Sequence, residues 1–489
     1  MSERMILVLD AGTTSTRAVL YAPDGRVMGL AQAPLGQHYP RPGWVEHDAQ
    51  EIFDVSLGCL RDMVVAAGGA DRIAALGITN QRETVVAWDR ASGRPITRAI
   101  VWQDRRTADT CEALRREGHE AGVQARTGLV LDPYFSGSKI GWIMREVPEA
   151  RALGGRLAVG TVESWLVWKL TGGLHVSDAT NASRTSLMAL DAAGWDAGLC
   201  DLFGVPAAAL PEIVGCAEIV GMTAPEWLGA ALPIAGMAGD QQAATIGQGC
   251  LAAGQAKATF GTGAFILAST GAALPRSAHR LLGTVLADVG GVRSYALEGS
   301  IFVAGSLLKW MRDNLGLLAA VEDSDDLARS VPDNGGVVIV PALAGLGAPH
   351  WRPDVRGVIS GLSHNTTAAH IVRAALEAMA HQCFDLKQAY ASDGADWGLL
   401  RIDGGMSGNE WLAQDLANVL GVPLERPADI ETTARGAAML ASVGAGLHRT
   451  LEEACAAMHS PVSRFEPAMD EPARRARLAA WHAELARLD

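Results

Sequence analysis

The chain has no Lys/Arg-rich run, and its 489 residues carry a net charge of −13. Proteins that grip a phosphate backbone along its length present a basic face, so no nucleic acid partner is expected. No C-x-x-C pair occurs among the seven cysteines, which are odd in number and widely spaced. That pattern argues against a disulfide framework and fits reduced thiols in the cytoplasm. The twelve histidines include no H-E-x-x-H, so a zincin-type metal site is not expected. The longest conspicuous uncharged stretch runs from Ala258 to Pro275 and is broken by Gly261, Gly263 and Gly271. A span needs about 20 mainly apolar residues, so a buried hairpin fits better and no membrane span is expected. Residues 1–5 lead directly into an apolar strand, with no pattern of a signal peptide. Neither G-x-x-x-x-G-K-[ST] nor G-x-G-x-x-G is present, which excludes a Walker loop and a Rossmann fingerprint.

What is present is a packed globular composition: 49% hydrophobic and 19% charged residues. The length exceeds one ordinary core, so two large domains are expected. Strand and helix signals alternate, which predicts an α/β fold. In the first half they are a strand pair around residues 5–21, a helix near 49–67, strands near 73–78 and 84–88, and helices near 105–117 and 165–170. The Gly/Ala-rich segment 236–254 suggests a boundary, giving domains 1–250 and 251–489. The second half reads as strands over 256–268 and 293–297 and a helix near 302–315. A buried strand near 336–341, a long helix near 370–390, a strand at 399–403 and helices near 410–420 and 468–488 follow. Arg105-Arg106 reads as a solvated helix start.

Two segments echo each other across the halves. Met5–Asp10 runs into Ala11-Gly-Thr-Thr-Ser-Thr-Arg17, and Ala258–Phe260 runs into Gly261-Thr262-Gly263. Each reads as strand, Gly/Thr turn, strand. Glycine permits a tight turn, and successive N–H groups with the hydroxyls of Thr13, Thr14 and Ser15 can donate to phosphate oxygens. Asp10 is a hard oxygen ligand suited to Mg²⁺ through water. Arg17 can add positive charge at a transferring phosphoryl group. A third glycine pair, Gly404-Gly405, ends a strand before a helix, where ligands collect in α/β folds.

An ordered set of further segments carries a resemblance. It comprises Pro42–Asp48, Gly77–Glu83, Trp102–Thr107, Thr127–Gly137, Thr180–Thr185, Ala238–Ala244 and Gly345–Pro349, with signature-like stretches at Tyr134–Glu146 and Gly357–Glu377. Over nearly its whole length the chain resembles the FGGY carbohydrate kinases, and among them most closely those acting on glycerol. The resemblance implies two actin-like (ribonuclease-H-like) domains flanking a deep cleft, and ATP-dependent phosphorylation of glycerol to glycerol 3-phosphate. It places Arg82, Glu83, Trp102, Tyr134, Asp240, Gln241 and Phe265 in the glycerol pocket, with Asp240 as general base. It places Thr13, Thr14, Ser15, Arg17, Thr262, Gly305, Gly405 and Asn409 at the nucleotide, and Asp10 at Mg²⁺. A cytoplasmic homo-oligomer, dimer or tetramer, is the accompanying expectation.

Lys309 stands where a glutamine near the nucleotide is common in the family, and no role is assigned to it. Residues 221–232 lack the Gly-rich, Arg-containing loop that some bacterial members use for fructose 1,6-bisphosphate, so that control is not expected. Two alternatives stay open. One is an FGGY kinase for another polyol or sugar, such as erythritol or a ketopentose. The other, ranked lower, is a non-catalytic actin-like nucleotide switch, which has no need of Arg82, Glu83, Trp102 and Asp240 together.

Overall fold

The computed structural model describes residues 4–352 and 354–488. Two large mixed sheets organise it. The first runs, in spatial order, through strands 221–222, 233–239, 73–80, 5–11, 15–21 and 27–34. The second runs through 282–289, 292–301, 264–271, 256–260, 400–403, 424–427 and 462–465. The strand Met5–Ala11 pairs antiparallel with Ser15–Tyr21 and parallel with Ile73–Asn80. In the second sheet Ala256–Phe260 pairs antiparallel with Ala264–Gly271 and parallel with Leu400–Asp403. The echo in sequence is therefore an echo in topology, and each Gly/Thr turn closes an antiparallel hairpin beside a parallel strand.

Both faces of the strands Met5–Ala11, Ile73–Asn80 and Pro233–Gly239 are buried, which is why they are apolar runs rather than alternating ones. Leu7 and Leu9 face the helix Ala49–Ala67, which contributes Ile52, Phe53, Leu60 and Met63. That helix begins at Asp48, whose carboxylate accepts from the N–H groups of Gln50 and Glu51, and stops at Gly68 with φ +84°. On the opposite face Ile6, Val8 and Val19 pack with Ala434, Ala437 and Leu440 of the helix Thr432–Gly444. The second sheet is covered on one side by Leu376, Met379 and Leu386 of the helix Ala368–Ser392.

The segment read as a boundary is no loose connection. It forms the buried strand Pro233–Gly239 and runs directly into the helix Asp240–Gly247. Ala243 and Ile246 of that helix share a core with Leu267 and Leu286 of the second sheet. The two halves thus exchange helices. Residues 240–247 lean on the second sheet, 432–444 lie on the first, and the two helices cross in contact. Glycine makes the crossing possible. A Cβ on Gly436 would stand 1.8 Å from the Ala243 carbonyl oxygen, and one on Gly247 2.0 Å from that of Thr432.

Most other elements lie where the sequence puts them, including Ala108–Arg116, Gly305–Asp313, Val338–Val340, Glu410–Leu420 and Glu471–Ala486. One expectation is corrected. Arg106 is not solvated: its side chain keeps 2% exposure, and its guanidinium pairs with Asp104 at 2.7 Å and Glu46 at 2.8 Å and stacks on Trp44. Trp44, Glu46 and Trp142 from elsewhere in the chain close over it together with Asp104, so that arginine does not stay in water. Arg105 does remain exposed and meets Asp132 at 2.9 Å. Among the described residues no helix is long and apolar enough to cross a membrane.

Candidate active site

The strand Ile73–Asn80 ends in a turn that carries Arg82 and Glu83. Glu83 has φ +60°, and the Thr84 N–H donates to the Arg82 carbonyl at 2.7 Å, closing a three-residue turn. A non-glycine residue held there costs about 1–3 kcal/mol. Two contacts hold it: Ser136 Oγ donates to the Glu83 carbonyl at 3.1 Å, and Arg184 Nε donates to its carboxylate at 2.7 Å. The strained turn aims Arg82 inward, where it is 3% exposed.

Arg82 is the hub. Its Nη1 donates to Glu298 at 2.6 Å and to Gln242 Oε1 at 3.3 Å, and its Nη2 to the Tyr134 hydroxyl at 3.3 Å. Its Nε stands 3.2 Å from Asp240 Oδ1. Glu298 also accepts from Arg184 Nη2 at 2.8 Å. Burial alone would raise the Glu298 carboxyl. Arg184, then Arg82 and Lys257, outweigh it and hold that carboxyl at about 2. Glu298 is therefore a fixed anion that keeps two arginines in place.

Asp240 is the first residue of its helix and follows Gly239, which ends a buried strand. Gly239 is anchored by its N–H, which donates to Thr180 Oγ1 at 2.9 Å. The Asp240 side chain keeps 31% exposure, more than any other carboxylate touching Arg82. Burial pushes its carboxyl above the ordinary aspartate range, Arg82 and Lys257 oppose this, and Glu83 adds to it. Such a carboxylate, accessible and with raised basicity, is suited to accept a proton.

Trp102 stands edge-on to Tyr134 (centroids 5.7 Å apart) and to Phe265 (6.3 Å). Its indole N–H donates to Thr13 Oγ1 at 3.0 Å, tying the aromatic wall to the first Gly/Thr turn. Trp102, Tyr134 and Phe265, with Thr262 and Gly263 of the second turn, line a cavity of about 700 Å³. The site thus has apolar walls with a few fixed polar groups, the usual make-up of a small-molecule pocket. Gln241 follows Asp240, and its Oε1 accepts from Lys257 Nζ at 2.5 Å.

At the first Gly/Thr turn, Asp10 lies opposite Arg17 across the hairpin. Burial pushes its carboxyl up to about 7, Arg17 opposes, and Asp240 and Glu431 add to the rise. Arg17 itself pairs with Glu431 from the other half of the chain. Thr13 and Ser15 are half-buried and Thr14 is exposed. Ser15 Oγ accepts from Gln32 Nε2 at 3.0 Å. The Thr262 carbonyl accepts from Ala304 N–H at 3.0 Å and from Ser306, and Gly305 N–H donates to Gly261 at 3.0 Å. This fastens the second turn to the helix Gly305–Asp313. A Cβ on Gly405 would meet open space. Asn409 is placed differently. Its Oδ1 caps the helix Glu410–Leu420 through Leu412 N–H at 2.7 Å, and its Nδ2 donates to Ser324 at 3.0 Å, so both ends of the amide are engaged within the protein. Lys309 is exposed on the helix Gly305–Asp313.

Residues 5–247 match the N-terminal domain of the FGGY family of carbohydrate kinases, and residues 256–445 match its C-terminal domain. The chain belongs to the FGGY family of carbohydrate kinases. As an FGGY kinase it is 50% identical to a glycerol kinase of Gluconobacter oxydans, covering 98% of this chain and 94% of that one. It is 51% identical to a glycerol kinase of Aromatoleum aromaticum, covering 97% of each. The crystal structure of Plasmodium falciparum glycerol kinase with ADP superposes with a TM-score of 0.93 at 33% identity, covering 99% and 98%. A xylulose kinase from Rhodospirillum rubrum gives 0.86 at 26% identity, covering 99% of each chain.

The site of this FGGY kinase includes residues that the sequence reading did not single out: Arg184, Gln242, Lys257 and Glu298. Glu298 had a visible signal, being a lone charge within Ser294–Phe302. Lys257 is likewise a lone charge in Ala256–Ile266. In a strand packed on both faces, an isolated charge is either paired or misplaced.

Proposed function

We infer that this chain phosphorylates glycerol with ATP, giving glycerol 3-phosphate and ADP. The observation that carries the reading is half identity, over nearly the full length of both chains, to proteins named glycerol kinase. It is supported by Trp102, Tyr134 and Phe265, which line one cavity, and by Arg82, which donates to the Tyr134 hydroxyl and pairs with Glu83 and Asp240.

In this reading Trp102 and Phe265 cover the carbon chain while Arg82, Glu83 and Gln241 bind hydroxyls. The attacking hydroxyl oxygen forms a bond to the γ-phosphorus, the bond from that phosphorus to the β-phosphate oxygen breaks, and ADP leaves. Asp240 accepts the hydroxyl proton as the bond forms. Thr13, Thr14, Ser15 and Thr262 donate to phosphate oxygens from the two facing turns, and Arg17 compensates charge at the transferring group. Gly405 leaves room for the nucleotide to approach the backbone, and Gly305, packed against the Gly261 carbonyl, holds the second turn that the nucleotide meets. Asn409 serves the nucleotide through the helix end it caps.

The residues present fit Mg²⁺. Asp10 is a buried carboxylate with acidic neighbours and no hydrogen-bond partner for its side chain among the described residues, so a cation would relieve its burial. No cluster of three or more His, Cys, Asp or Glu side chains suited to a metal occurs among those residues. Bound there, Mg²⁺ supplies neutralisation of phosphate charge.

The reading carries with it domains 1–250 and 251–489, a cytoplasmic location and a homo-oligomer, dimer or tetramer, which light scattering on the purified chain tests. The decisive experiment is a substrate panel with Mg-ATP. Glycerol should have the highest kcat/KM. Faster turnover of erythritol or a ketopentose would replace it with another FGGY substrate, and no turnover of any polyol would favour a nucleotide switch.

A further inference from the structure

Lys257 is fully buried in the strand Ala256–Phe260, between an antiparallel partner and the parallel strand Leu400–Asp403. A cation in that position demands acceptors. Its Nζ has two: Gln241 Oε1 at 2.5 Å and Thr259 Oγ1 at 2.7 Å, the latter two residues along the same strand face. Burial holds its ammonium below the ordinary lysine range, Asp403, Asp240 and Glu298 oppose this, and Arg82 adds to it. Asp403 is itself fixed by Thr432 Oγ1 at 2.5 Å and Gln248 Nε2 at 2.8 Å.

An ammonium group has three donors and no acceptor. The Gln241 atom that faces it must therefore be the carbonyl oxygen, which settles an orientation that an amide otherwise leaves ambiguous. The Gln241 main chain is fixed as well, by its N–H to Asp240 Oδ1 at 2.7 Å and its carbonyl to Thr245 Oγ1 at 2.7 Å. The side-chain NH₂ meets no protein acceptor among the described residues.

We propose that Lys257 is a positioning residue for the polyol: it locks the Gln241 amide so that its NH₂ faces the substrate and accepts only a group with a lone pair to give. The proposal rests on the glycerol-kinase reading and deepens it. A neutral residue at 257 would let the amide rotate and offer either end. The ammonium removes that freedom before the substrate arrives, so less ordering remains to be done on binding.

Steady-state kinetics of the full chain with glycerol and Mg-ATP test this. The wild type is measured first; failure of that protein to phosphorylate glycerol would count against the underlying reading rather than against Lys257. Lys257→Met should raise the KM for glycerol about 10-fold and move the KM for ATP less than about twofold, the loss expected for a neutral hydrogen bond and its orientation. In a Gln241→Met background, Lys257→Met should raise the glycerol KM by less than about twofold, because Lys257 acts through that amide. Gln241→Glu keeps an acceptor for Lys257 but offers no donor, and should raise the glycerol KM as Gln241→Met does. It also decides the matter if Lys257→Met does not fold. A glycerol KM for Gln241→Glu within about twofold of wild type overturns the proposal. So does an equal effect of Lys257→Met with and without Gln241, or a Lys257→Met enzyme that loses kcat and both KM values in proportion.

Discussion

At the scale of single residues, the site separates two kinds of carboxylate. Glu298 is fully enclosed and held ionised by two arginines, whereas Asp240 touches one of them from a position still open to the cleft. Asp240→Asn keeps the shape and removes the proton acceptor. It should lower kcat by about 10²–10⁴-fold while calorimetry still detects ATP binding; turnover within tenfold of wild type would remove Asp240 from the role of base. Glu298 makes a prediction of opposite character, about stability. Its carboxyl lies at about 2 in the fold against an ordinary 4.5. A depressed carboxyl stabilises the fold above its unfolded value and ceases to do so as pH falls through its folded value. Wild-type stability should therefore include a component lost between about pH 4.5 and 2, read as urea midpoints. Glu298→Gln should flatten that segment and cost about 3–5 kcal/mol at neutral pH, because two buried arginines lose a shared anion.

At the scale of elements, what could be read in the sequence followed from local signals. The helix Ala49–Ala67 was legible because Asp48 caps it and Gly68 ends it. Both hairpins were legible because Gly and Thr cluster between apolar strands. That Arg82, Asp240 and Tyr134 come together was legible only through family resemblance, since they are separated by long stretches of chain and no spacing rule links them. The helix crossing was not legible. Gly and Ala in residues 236–254 resemble a linker in composition, and only the partner helix, nearly 200 residues later, explains why small residues are needed there. The same holds for Arg106, whose aromatic and acidic neighbours come from distant segments. Gly436→Ala tests the crossing. With the Ala243 carbonyl oxygen 1.8 Å from the new methyl group, the helices must separate. A loss of about 1–3 kcal/mol or more is expected, visible as a lower thermal midpoint; an unchanged midpoint would show that the contact is slack.

At the scale of the whole molecule, two sheets share one central core through exchanged helices, and the cleft carries its reactive groups at the seam. Asp240 begins one exchanged helix, and Glu431 immediately precedes the other. The Arg17–Glu431 pair bridges the first Gly/Thr turn and the second half. If Arg17 serves the nucleotide, that pair has to open first. With both side chains about one-third exposed, at 30% and 32%, opening costs little, up to about 1 kcal/mol. Glu431→Gln should accordingly lower the KM for ATP by about two- to fivefold without changing that for glycerol; a rise in the ATP KM would mean that the pair belongs to the binding-competent state.

The helix exchange also has a consequence for how the chain is made. Residues 5–239 contain every strand of the first sheet, yet one face of that sheet is covered by residues 432–444. On the ribosome, Ile6, Val8 and Val19 emerge hundreds of residues before Ala437 and Leu440 can meet them. At about 5–20 residues per second, the opening half waits some tens of seconds with an apolar face unshielded. Its final packing is therefore tied to the completion of synthesis, and a messenger truncated shortly before codon 432 yields a chain that exposes the surface chaperones bind.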